Sequence, residues 1–363
     1  MKAGTAPGCS SWSKKIKRLI CSVAAPSLPY RLRDAALRLL LRLLFPPLRL
    51  AFGNLSLKAT RRWANAFRLL AWPLLCRKRR IAAANLAIAF PELTPAERAV
   101  LLRRNQTFLF ELGLDWLHFF FHPEDITRRM VVSPQMKQLM RERQRPCDGT
   151  VESALFCTPH LGNWELESRV SAITGRPGAV VTATFSTPCL NELAARFRTD
   201  NDDTLLIPAD GAARGVLRAL NEQRDIGILI DQNIAPRHGG IFVPFFGLPA
   251  ATSRLPASIT RRRRIPLYVV GCIKQEDGSY CVIPQPLPKA PWEYSDDSEL
   301  TAAILQAFEA LIRKAPEQYL WLYTRWRYIP GNTPPEALGA FPAYAHRTRA
   351  EAPPQTLAAI RPQ

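Results

Sequence analysis

The stretch SALFCTPHLGNWELES, residues 153–168, decides how this chain is read. Its first six residues form a short apolar run of strand character, and Pro159 and Gly162 then break the chain direction. Asn163 follows as a natural N-cap, and residues 163–174 read as the helix it opens. A strand, a tight break and a helix make one βα unit, the building block of an α/β domain. His160 and Glu165 flank the break, five positions apart. At ~100° per residue, that spacing turns two side chains about 140° apart on a helix, so the pair cannot meet on one helical face. It can meet across the turn, with His160 at the strand end and Glu165 in the first helical turn, near the positive helix terminus. A neutral imidazole there could take a proton from an attacking hydroxyl, and a carboxylate could hold its tautomer. A bland surface pair, or a nucleophile drawn from Cys157 or Ser153, are the competing readings.

Working outward, strand-like runs fall at 152–158, 178–184, 204–207, 226–230, 241–245, 266–273 and 280–284. Helical patterns fall at 163–174, 188–198, 210–223, 251–263 and 297–314. This alternation predicts an α/β fold, a central mostly parallel or mixed sheet flanked by helices. With 363 residues and 47% hydrophobic content, the chain is long enough for one large core or two modest ones.

The N-terminal quarter is different. Residues 1–27 read as a flexible basic leader; LICSVAAP after Lys14, Lys15, Lys17 and Arg18 mimics a signal peptide but has a short apolar region. Residues 28–52 place Arg31, Arg38, Arg42 and Arg49 at spacings of 7, 4 and 7 among leucines. That pattern puts the arginines on one side of a helix and suits a helix lying in a membrane interface, or a core helix whose arginines snorkel. Pro46 and Pro47 predict a kink or a split. Residues 57–82 continue the style and end in the basic run RKRR at 77–80. Thr94, Pro95 and Glu97 then mark a clean helix start, with the helix running to about Phe121. The expected organisation is a leader at 1–27, membrane-associating amphipathic helices at 28–90, a catalytic domain at 91–329 and a poorly ordered Pro/Ala-rich tail at 330–363.

Lys and Arg number 49 against 30 Asp and Glu, a net charge of +19. The excess calls for an anionic partner: lipid, phosphorylated substrate, acidic protein or nucleic acid. Nucleic acid is disfavoured, because no helix-turn-helix or RNA-binding aromatic signature is present and the charge alone would not explain the His-Glu unit. The eight cysteines show no metal-ligand spacing and read as reduced thiols. No stretch reaches the ~18 apolar residues of a spanning helix.

HLGNWE at 160–165 resembles the H-x4-D/E motif of membrane acyltransferases, in the glutamate form found in the late lipid A acyltransferase family, the lauroyl and myristoyl transferases. NLAIAFPEL at 85–93, DQNIAPRHGGIFVPFFGLPAATS at 231–253 and PEQYLWLYTRWR at 316–327 resemble further blocks of that family, in its order. The resemblance covers residues 28 to about 328. It implies an acyl-carrier-protein thioester as donor, a lipid A precursor as acceptor, His160 as general base with Glu165 as its partner, and no metal or cofactor. It also implies a positioning arginine, for which Arg196 and Arg198 are the candidates, and attachment to the cytoplasmic face of the inner membrane, here peripheral or monotopic. The glycerophosphate acyltransferases share the scaffold motif but usually carry Asp at the Glu165 position and lack the 231–253 block, so another glycolipid or a glycerophospholipid is the alternative acceptor.

Asn163, Arg196, Arg198, Asp231, Gln232, Arg325 and Arg327 complete the candidate substrate-binding set. Asp231 and Gln232 follow the apolar run IGILI, where α/β folds place ligand groups, although Asp231 could equally cap a loop. Arg325 and Arg327 could grip an anion or line a solvated edge. Phe242, Phe245 and Phe246 read as core before acyl-chain wall. Tyr323, Thr324 and Trp326 stand where the family usually shows His, Arg and Phe, and TRRRR at 260–264 is unusually basic.

Overall fold

The computed structural model describes residues 28–143, 152–198 and 204–360. The basic leader expected at 1–27 lies outside the described residues. Three helices come first: α1 (Leu28–Phe52), α2 (Leu57–Ala71) and α3 (Cys76–Ala89). The long α4 (Pro95–Phe121) begins where the sequence predicts, with Thr94 and Glu97 closing a reciprocal capping box. Next come α5 (Glu124–Arg129), β1 (Met130–Val132) and α6 (Pro134–Arg143).

The alternating region runs β2 (Leu155–Thr158), α7 (Val170–Thr174), β3 (Gly178–Thr182), α8 (Pro188–Arg198), β4 (Thr204–Pro208), α9 (Ala212–Asn221) and β5 (Asp225–Leu229). A hairpin of β6 (Gly240–Phe245) and β7 (Leu248–Ser253) follows, then α10 (Leu255–Arg263), β8 (Leu267–Lys274), β9 (Tyr280–Gln285) and α11 (Asp297–Lys314). Short β10 (Tyr328–Ile329), β11 (His346–Arg347) and α12 (Pro354–Ala358) close the described chain.

The main sheet has seven strands in the order β1-β9-β8-β2-β5-β3-β4. Only the β8–β9 pair is antiparallel, so the sheet is mixed but mostly parallel, as the alternation predicts. β2 sits at its centre and every one of its residues is buried, which is why LFCT is an unbroken apolar run rather than an alternating one. Beside the sheet, α11 buries Leu300, Ile304, Leu305, Phe308, Leu311 and Ile312, the three-and-four spacing of a helix with one face in a core. Among the described residues no helix is long and apolar enough to cross a membrane.

Four expectations need correction. The helix expected at 163–174 is broken: a 3₁₀ turn at Leu166–Ser168 is followed by a separate α7, and the Ser168 hydroxyl donates to the Glu165 carbonyl at the break. The helix expected at 251–263 begins only at Leu255, because residues 248–253 pair with β6. Pro46 and Pro47 do not split the helix: α1 runs continuously through them, with Phe45 packed on Phe120 and Phe121 of α4. Residues 330–360, expected to be poorly ordered, fold back on the hairpin: β11 pairs with β10, and Phe341, Ala352 and Thr356 are buried.

The arginine stripe of α1 is also only partly free. Arg38 forms a two-pronged ion pair with Glu192 of α8, at 2.6 and 2.8 Å, and bonds Asp34 as well, whereas Arg42 and Arg49 are exposed. The side chain of Arg31 lies outside the described residues.

Candidate active site

β2 and β5 are parallel neighbours, with Leu155 opposite Ile226 and Thr158 opposite Leu229. Carried two residues past the strand ends, that register sets His160 beside Asp231. The carboxylate grips the histidine twice. Nδ1 lies 2.6 Å from Asp231 Oδ1, and the backbone N–H of His160 donates to Oδ2 at 2.9 Å. With Nδ1–H donated to Asp231, the bare Nε2 is the basic atom, and it lies 3.0 Å from the side-chain amide nitrogen of Gln232.

Asp231 is 2% exposed, and a buried carboxylate without partners would cost several kcal/mol. Burial pushes its carboxyl up. The charge of His160, the two hydrogen bonds from His160 and the charge of Arg325 outweigh this and hold it below its ordinary value. Asp231 therefore stays ionised at neutral pH and orients the imidazole.

The loop that presents His160 is fixed from both sides. Leu320 N–H donates to the His160 carbonyl at 3.0 Å, Gly162 N–H to the Gln318 carbonyl at 3.0 Å and Asn163 N–H to the Cys272 carbonyl at 2.9 Å. Gly162 has φ +61°, and a Cβ there would come within 1.8 Å of the Cys272 carbonyl oxygen, so only glycine fits. Asn163, expected to bind substrate, is fully buried and accepts a 2.9 Å hydrogen bond from the Trp116 indole; it braces this loop instead. Trp164 packs against the imidazole with ring centres 5.2 Å apart, and Trp116 packs edge-on to Trp164.

Glu165 makes a different partnership from the one read in the sequence. Arg198, the last residue of α8, clamps it with two 2.7 Å hydrogen bonds, and the same guanidinium reaches the Thr182 hydroxyl at the end of β3. The structure thus assigns the Nδ1 contact to Asp231 and ties Glu165 to Arg198. The side chain of Arg196, the other arginine candidate, lies outside the described residues.

Arg325 is 2% exposed. It donates to Asn233 Oδ1 at 3.1 Å, to the Ala251 carbonyl at 2.9 Å and to the Thr252 hydroxyl at 2.5 Å. These bonds tie the loop after β5 to β7, so Arg325 supports Asp231 from behind instead of facing outward. Asn233 is also held by the Tyr323 hydroxyl, which accepts from its N–H at 3.1 Å, and by the Thr324 carbonyl at 2.7 Å. Tyr323 and Thr324, two of the unusual residues of the 316–327 block, are therefore braces of the 231–233 loop. Arg327 is exposed, with its guanidinium over the Tyr328 ring.

Cys157 is fully buried, and burial pushes its thiol well up; Ser153 lies before the other end of β2. Neither reaches His160 as a nucleophile. Phe242, Phe245 and Phe246 are buried core residues. The TRRRR run is largely structural: Arg261 bonds Asp297 and two carbonyls, Arg263 bonds Asn221, and Arg264 lies over Trp292. Sequence reasoning passed over Glu167. It is 5% exposed, and burial, with the charge of Asp231 adding to it, pushes its carboxyl well above the ordinary value.

A histidine gripped by a buried carboxylate stands at the carboxyl end of the mostly parallel sheet, where α/β folds place ligand groups. The family model described as bacterial lipid A biosynthesis acyltransferase matches residues 49–328, and the chain belongs to that family. It is similar to a lipid A biosynthesis acyltransferase of Haemophilus influenzae, with 26% identity over 268 residues, 71% of this chain and 80% of the relative. It is similar also to the lipid A biosynthesis lauroyltransferase of Escherichia coli K12, with 27% identity over 272 residues, 73% of this chain and 84% of the relative. The palmitoleoyltransferase of the same organism shows 24% identity over 268 residues, 72% of this chain and 82% of the relative.

Proposed function

We propose that this acyltransferase moves a fatty acyl chain from an acyl-carrier-protein thioester to a hydroxyl of a lipid A precursor, with His160 as the general base. The observation that carries this reading is the orientation of the imidazole: Asp231 takes Nδ1–H, and Nε2 is left as the proton acceptor. The acceptor hydroxyl gives its proton to Nε2 as its oxygen attacks the acyl carbon. The tetrahedral intermediate then breaks its C–S bond, and the imidazolium returns the proton to the leaving thiolate. No covalent enzyme intermediate is needed, in keeping with the burial of Cys157.

Glu165 and Arg198 act as one unit in this account. Their ion pair joins the loop after β2 to the end of α8 and sets the wall beside the base.

The protein works at the cytoplasmic face of the inner membrane. Leu39, Leu40, Leu43, Leu44, Leu50, Trp63, Leu69, Leu70, Leu74 and Leu75 are all exposed, and all fall within residues 39–75. Exposed Arg42, Arg49 and the 77–80 run accompany them. Apolar groups beside cations are what an anionic bilayer interface takes up.

The testing experiment supplies acyl-carrier-protein thioesters of several chain lengths and a tetra-acylated lipid A precursor to membranes containing the protein. Product mass is followed. An increase of one acyl chain supports the reading and gives the chain length; no increase with any donor moves the acceptor to another glycolipid or a phospholipid.

A further inference from the structure

The base of this site is already occupied. A neutral imidazole nitrogen offers one in-plane lone pair, and at His160 Nε2 the Gln232 amide takes it at 3.0 Å. The Gln232 amide makes no other hydrogen bond among the described residues.

Its backbone is pinned on both sides. Asp231 is held by the two contacts to His160, and Asn233 by Tyr323, Thr324 and Arg325. The side chain of Gln232 is half-buried, and its bond to Nε2 is the one hydrogen bond that holds it among the described residues. An attacking hydroxyl therefore has to replace this amide at Nε2.

Water is the most abundant hydroxyl, and an acyl thioester is open to it. If water reached Nε2 of a loaded enzyme, its proton would pass to the imidazole and its oxygen would bond the acyl carbon. The C–S bond would break, the thiolate would recover the proton, and free fatty acid and thiol would result.

Resting on the acyl-transfer reading above, we propose that Gln232 is a stopper. It covers the base against water and yields only to a hydroxyl delivered with the binding energy of the whole acceptor lipid. Gln232 is thus the residue that keeps this transferase from acting as a thioesterase.

The test uses the full chain in mixed micelles with an acyl-carrier-protein thioester. Fatty acid release is measured without acceptor, and transfer with it. The proteins are wild type, Gln232→Ala, Gln232→Asn, His160→Ala and the double variant His160→Ala/Gln232→Ala. Asparagine keeps the amide but is one methylene too short to reach Nε2, so it serves where alanine fails to fold.

The ratio of hydrolysis to transfer rises about tenfold or more in Gln232→Ala and Gln232→Asn, the scale of one net hydrogen bond. The rise disappears in the double variant. An unchanged ratio, with both activities falling together, gives Gln232 a purely structural role and overturns the proposal. Extra hydrolysis that survives loss of His160 overturns it too, because that water was not activated at Nε2. Failure of the underlying reading looks different: His160→Ala alone would then transfer acyl chains at the wild-type rate with Gln232 intact.

Discussion

His160 and Asp231 are 71 residues apart in sequence, the same offset that separates every paired residue of β2 and β5. The hydrogen bond between them is the strand register continued past the end of the sheet. It follows that Asp231, and not Glu165, fixes which imidazole nitrogen carries the proton.

Asp231→Asn keeps the size of the side chain but offers an amide N–H to Nδ1, which drives the proton to Nε2 and removes the base. Acyl transfer falls by on the order of 10³-fold or more. Steady-state rates on a variant with wild-type circular dichroism check this; a loss under tenfold would place the orienting group elsewhere.

For Glu165 and Arg198 the expected signature is coupling. Both side chains are mostly buried, and the contact is a two-pronged fork that lysine cannot reproduce. Glu165→Gln, Arg198→Lys and the double variant, compared as a cycle on transfer rate, show an interaction of about 1–3 kcal/mol. Additive losses would mean that the two residues act separately.

Arg325→Met removes the donor to three acceptors in a dry setting and lowers unfolding free energy by about 3 kcal/mol. Urea titration measures it. A variant as stable as wild type, yet impaired in acceptor binding, would restore the anion-gripping role suggested by its sequence position.

Glu167 gives a pH-dependent stability effect. Its folded pKa lies well above the ordinary value of 4.5, so between those two values the folded state holds a proton that the unfolded state releases. Stability from this group is full below pH 4.5 and declines as pH rises toward the folded pKa. Gln cannot lose a proton, so Glu167→Gln raises the melting temperature at pH 7–8, and the gain vanishes near pH 4. A gain of equal size at both pH values would show that ionisation is not its source.

Membrane attachment is tested with anionic vesicles. Burial of one leucine contributes about 1.5–3 kcal/mol and is not screened by salt. High salt therefore weakens co-sedimentation without abolishing it, whereas Leu69→Glu/Leu70→Glu/Leu74→Glu releases the protein even at low salt. Complete release of the wild type at moderate salt would make the contact purely electrostatic.

Much of this was legible in the sequence because it is local. The α4 capping box, the α11 stripe and the strand-to-turn break before His160 are each written within a few neighbouring residues. The partner of His160 was not, because β2 and β5 are separated by two intervening strands in the chain and adjacent only in the sheet. Asp231 was marked as a ligand group at a strand end, but which side chain it faced depended on that strand order. The β6–β7 hairpin was missed for a different reason. Its two-residue turn has positive φ at Phe246 and Gly247, and phenylalanine is an unusual choice there. The Glu309 carboxylate accepts from the Phe246 N–H at 2.6 Å and helps hold it, a contact invisible in the local sequence. The ordered tail likewise depends on remote burial of Phe341 and Thr356.

The most direct test of the central claim is acyl transfer by His160→Ala, read by product mass and paired with a thermal melt. The account predicts a retained fold with a lowered melting temperature, because Asp231 loses its Nδ1 partner but keeps the backbone N–H of residue 160, together with loss of the added acyl chain. A folded His160→Ala protein that still acylates the lipid A precursor near the wild-type rate would contradict it.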